Sequence, residues 1–141
     1  MNGSYYQTPV FINDMERDTT QGMNYNMETH CKHYMDDAIN ETFYLLRKYC
    51  YNSEATNVLQ EIINDESSEQ DKSLFMQAFG KFLNTYFNAY KPLDNFQKNY
   101  FKLMFRKNEK LKFNQIINKV ENKKVKSFSL NVFHTFLKKN L

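Results

Sequence analysis

Few residues in this chain have the chemistry for catalysis or metal binding, and the densest group is His30, Cys31 and His33, with Cys50 further along. Two imidazoles and two thiols are a donor set for structural zinc. Their spacing argues against that use. On a continuous helix His30 and His33 share a face, while Cys31 points about 100° away from His30. Cys50 lies 19 residues beyond Cys31, which is about 28 Å along a helix axis. No Gly or Pro stands between the two cysteines to break the helix, so neither a metal nor any other cofactor is expected. A cysteine nucleophile has no better support. Neither thiol sits in a distinctive motif, and the third histidine, His134, falls among the phenylalanines of a late helix. Asp36 and Asp37 occupy different helix sectors and read as solvated. Gly3, Gly22 and Gly80 are isolated, so no phosphate-cradling loop exists. The expectation is a protein that is not an enzyme.

Charge is the feature with functional weight. Residues 1–90 carry 6 basic and 13 acidic side chains, net −7, whereas residues 91–141 carry 13 basic and 3 acidic, net +10. The whole-chain value of +3 therefore hides a strong dipole. Asn occurs 18 times and Lys outnumbers Arg 16 to 3. Both biases fit an AT-rich codon usage, since selection for phosphate forks would favour Arg. The run FQKNYFKLMFRKNEKLKF at 96–113 interleaves cations with aromatic rings, the combination that single-stranded nucleic-acid binders use. Lys102, Arg106 and Lys110, with Lys119, Lys123, Lys124 and Lys126 further on, form a candidate phosphate-facing surface. The rings fall largely on core positions, and a buried ring cannot stack a base. Phe101 and Phe105, off the main stripe, are the expected exceptions.

These groups must be positioned by helices. Gly 3 and Pro 2 in 141 residues are too few for the turns of an all-β chain. Leu74 to Tyr90 carries Gln77, Lys81, Asn84, Asn88 and Lys91 on one narrow side, and apolar residues cover the rest. An apolar face that wide belongs to a helix surrounded by neighbours. Ser67 and Gln70 fit a capping box at its start, Pro92 sets its stop, and Gly80 is read as a close helix crossing. Before it, a helix is expected from Thr29 to about Tyr51, and a shorter one from Ser53 as N-cap to Asp65. Residues 65–71, DESSEQD, read as an acidic connection. After Pro92, Leu93, Phe96, Tyr100, Leu103 and Met104 form one expected core face, with Asp94 as cap and a turn at 107–110. A further helix uses Leu111, Phe113, Ile116, Ile117 and Val120. Residues 121–126 form a solvated connection, and Ser127 or Ser129 caps a last helix.

The predicted fold is all-α: a single compact bundle of five or six helices over 28–141, around a mostly buried central helix at about 68–90. A flexible arm, residues 1–27, precedes it. Within the arm, Val10, Phe11 and Ile12 form an apolar patch read as a candidate docking segment. No apolar run is long enough to span a membrane and no secretory signal pattern opens the chain, so an intracellular protein, cytoplasmic or nuclear, is expected. In architecture alone such a domain resembles Bcl-2-like folds, the divergent viral ones included. The Gly-Arg pair of that family's N-W-G-R-like string has no counterpart, because Gly80 is followed by Lys81 and there is no Trp. No residue role is carried over. The functional expectation is a non-catalytic helical protein–protein interaction module, an adaptor or complex subunit whose partner is another protein, an acidic one included. The alternatives are a nucleic-acid-associated protein using the basic half, and a Bcl-2-like groove that binds an amphipathic helix.

Overall fold

The computed structural model describes residues 27–141, with side chains from Tyr34 onward. Nearly all of the expected arm, Val10, Phe11 and Ile12 included, lies outside the described residues. Five helices and no strand occur among them: α1 (Met27–Tyr49), α2 (Ser53–Asp65), α3 (Glu69–Thr85), α4 (Asn95–Ile117) and α5 (Lys123–Asn140). A π-helical turn, Tyr86–Tyr90, continues α3. The chain divides between Asp37 and Ala38, and the packing described below is that of Ala38–Leu141.

Short polar side chains start each helix after the first, satisfying amides that have no partner within the helix. Asn52 accepts from the Ala55 amide at 3.1 Å, and Ser68 from the Asp71 amide at 3.1 Å. Asp94 and Gln97 form a reciprocal capping box, with the Gln97 amide donating to Asp94 at 2.8 Å and the Asp94 amide to Gln97 at 3.1 Å. Asn122 accepts from Lys124 and Val125. Three of these caps lie one or more residues from the expected ones. Ser67 instead donates its hydroxyl to the Ile62 carbonyl. Ser129 is fully buried within α5, which absorbs 123–126 as its first turn.

The central helix is as expected. Leu74, Phe75, Ala78, Phe79, Phe82, Leu83, Tyr86 and Tyr90 are buried, and all five residues of the polar side are exposed. Its rings connect the bundle. Phe75 stacks on Phe43 of α1 at 5.0 Å, and Phe79 meets Phe113 of α4 edge-on at 4.7 Å. Phe82 meets Phe133 and Phe136 of α5 edge-on, at 4.8 and 5.1 Å. Phe113 and Phe133 lie face to face at 3.9 Å, which joins α4 to α5. α2 packs mainly on α5. Gly80 does not mark a close crossing: a Cβ there would meet only the Met76 methyl, at an ordinary 3.7 Å.

The acidic connection also differs from its reading. Asp71 is buried in the first turn of α3, and its two carboxylate oxygens accept the amides of Glu121 and Asn122, at 3.0 and 3.1 Å. A carboxylate with both oxygens occupied can afford burial that an unpaired one cannot. It holds the link between α4 and α5 in place.

The largest correction is α4. It runs unbroken through 107–110, so five helices stand where five or six were expected. Charged residues are good helix formers, and the RKNEK run contains neither Gly nor Pro to stop the helix.

Candidate interaction surface

A helix with one apolar face packs that face inward and leaves the other to water. α4 has two apolar faces, roughly opposite one another. The inner one is Phe105, Phe113, Ile116 and Ile117, buried or half-buried, with Phe105 stacked on Tyr90 at 4.9 Å. The outer one is Phe96, Tyr100 and Leu103 at spacings of four and three, with Met104 beside them and Leu111 two turns beyond Leu103, past Lys107. These five are 79, 75, 76, 57 and 59% exposed, in that order. All five were expected on packed faces, Phe96, Tyr100, Leu103 and Met104 beside Leu93 and Leu111 beside Phe113, and the packing gives that place to the other face. The error has a physical source: both stripes have a helical period, and the outer one is better formed over 96–104. Phe101, expected to be off the stripe, is 47% exposed, while Phe105 is half-buried against Phe82 and Tyr90.

Scattered exposed apolar side chains are ordinary, whereas a group of them on one helix face makes that face a candidate for contact. A groove of about 350 Å³ borders this row on the side of the π turn, lined by Ala89, Tyr90, Leu93, Phe101, Met104, Phe105 and Asn108. Along α4 the charge is almost all of one sign. Lys98, Lys102, Arg106, Lys107, Lys110 and Lys112 face a single acid, Glu109, which is buried on the inner side. Glu109 lies 3.8 Å from the Lys112 ammonium, and desolvation pushes its carboxyl above the usual range, against the pull of Lys112 and Lys81.

The seven basic residues singled out from sequence are distributed over α4, the link after it and α5. Arg106 and Lys110 line the same cleft, between α4 and α5, joined there by Lys107, His134 and Lys138. Lys102 is half-buried. Lys119 lies just past the end of α4, and Lys123, Lys124 and Lys126 lie in the first turn of α5. None of these four lines the cleft. Lys110 to Lys119 is nine residues, or about 13 Å along a helix.

His30, Cys31 and His33 lie on α1 in the part whose side chains are not described. Cys50 is a core side chain, 6% exposed, with its thiol toward the Val132 carbonyl. Burial pushes that thiol to about 12 and keeps it protonated at neutral pH. Among the described residues no helix is long and apolar enough to cross a membrane.

No family model, curated protein or solved structure matches the chain.

Proposed function

We propose that this chain is a helical protein–protein interaction module, an adaptor or complex subunit, whose α4 binds an acidic amphipathic helix of another protein. The observation that carries the reading is the outer stripe of α4: Phe96, Tyr100, Leu103, Met104 and Leu111, each more than half exposed. Helix-in-groove recognition uses apolar anchors at this spacing, and the adjoining groove offers a seat for one anchor of the partner. Charge selects the occupant. The exposed charged residues of α4 are Lys107, Lys110 and Lys112, so a second copy packed face to face would bring only cations together. A helix bearing Glu or Asp beside its apolar row pairs with them.

A second reading has its own observation. Phe96, Tyr100 and Phe101 are exposed rings on a lysine-rich helix, the parts of a base-stacking platform. Leu103, Met104 and Leu111 continue the same row. Aliphatic side chains bury against a protein and do not stack bases, so the protein partner is preferred.

The test uses a labelled helical peptide with leucines at three-four spacing and flanking glutamates, compared with the same peptide flanked by lysines. The glutamate form should bind at least about tenfold tighter. Tyr100→Ser with Leu103→Ser should weaken it by more than about tenfold, with stability changed by no more than about 0.5 kcal/mol. Equal affinity for both peptides, binding to neither, or a concentration-dependent dimer abolished by the same variant would each overturn the assignment.

A further inference from the structure

The cleft between α4 and α5 lies beside the outer stripe but has a different chemistry. Arg106 and Lys110 stand one turn apart on α4, and His134 and Lys138 one turn apart on α5. Lys107 and Leu137 complete the lining among the described residues, and the open cleft has a volume of about 570 Å³. Among the described residues no carboxylate lines it. The two ion pairs among the described residues, Lys72–Glu69 and Lys112–Glu109, involve none of its side chains. Glu109, next to Lys110 in sequence, is buried and cannot serve as a rim counter-charge. Four permanent cations around one cavity repel one another, and an anion in the cavity removes that repulsion.

We infer that this cleft is a binding site for a compact anion bearing several phosphate groups. One guanidinium provides a two-pronged donor for a phosphate, and three ammonium groups supply point charges for its neighbours. The volume falls within the ordinary range for small-molecule sites. An extended nucleic-acid backbone needs a track of cations. Here the four are gathered at one place, and Lys119, Lys123, Lys124 and Lys126 do not continue the cleft. His134 provides an internal reporter. Desolvation first, and Lys110 second, hold its imidazole below the usual histidine value. The charged groups facing it across the cleft are Arg106, Lys107 and Lys110 from α4, with Lys138 on its own helix. A bound polyphosphate opposes that positive field and favours the imidazolium, so occupancy should raise the His134 pKa.

The experiment titrates tripolyphosphate into the full chain at about 150 mM salt, where diffuse attraction is screened beyond about 8 Å. One-site binding is expected, with the His134 ring resonances showing a raised pKa. Arg106→Gln with Lys138→Gln should weaken binding at least about tenfold, while Lys123→Gln with Lys124→Gln should change it by less than about twofold. Vesicles carrying a multiply phosphorylated inositol lipid form a second arm. Binding to the free anion assigns a soluble ligand, and binding to vesicles alone assigns a headgroup. Equal losses in the two double variants, an unmoved His134 pKa, or affinity that grows steadily with oligonucleotide length would each overturn the assignment.

Discussion

α3 and α4 are built from the same residues, and those residues have opposite fates. Along α3 and its π turn, Phe75, Phe79, Phe82, Tyr86 and Tyr90 are all buried, and beyond the first turn Gln77, Lys81, Asn84 and Asn88 form one exposed strip. Along α4, Phe113 is buried and Phe105 half-buried, while Phe96, Tyr100 and Phe101 face water. The difference lies in neighbours. α3 touches α1 through Phe43, α4 through Phe113 and α5 through Phe133 and Phe136, so every apolar sector has something to pack on. α4 packs on α3 and α5, and among the described residues no other helix packs closely on its far side. An apolar stripe on a helix states that a face needs covering. It does not state whether the cover belongs to the same chain.

Substitutions on the two helices should separate these cases. Phe79→Ala removes a ring with no exposure from the middle of α3 and should cost about 3–5 kcal/mol in denaturant unfolding. Leu103→Ala, on the outer stripe, should stay within about 0.5 kcal/mol. If Leu103→Ala cost several times that in the isolated chain, the outer stripe would already be packed and the contrast would fail. Asp71→Asn is the next largest expected effect. One of the two amides held by the carboxylate would face an NH2 group instead of an acceptor, a loss of about 1–3 kcal/mol by thermal or denaturant melt. Gly80→Ala has a smaller effect than Asp71→Asn and the opposite sign. The added methyl meets only the Met76 side chain at 3.7 Å, so relief of glycine's backbone entropy should stabilise the protein by about 0.5–1 kcal/mol. A loss there would restore the close-crossing reading of this position.

How far the sequence could be read follows from the same contrast. From Leu74 onward α3 was legible because Gln77, Lys81, Asn84 and Asn88 fall on one strip, leaving one orientation possible. The capping role of Asp94 was legible too, because the reciprocal box needs only Asp94 and Gln97 three apart. α4 was not, because two apolar faces compete for the core and local period favours the wrong one over 96–104. Asp71 was hidden for another reason: its partners, Glu121 and Asn122, lie about fifty residues away, and an acid within DESSEQD reads as solvated. The basic cleft was half visible. Arg106 and Lys110 stood in an evident basic run, but His134 and Lys138 join them only through the pairing of α4 with α5.

The carboxylate of Asp71 also bears on how this chain assembles. The Glu121 and Asn122 amides have their acceptor in α3, so the α4–α5 link cannot be completed by local structure alone. It closes only once the first turn of α3 has arrived beside it. Opening of that contact would expose both amides to exchange together. Slow, matched exchange at these two positions is thus the signature of a docked bundle, distinct from the helicity of its separate pieces.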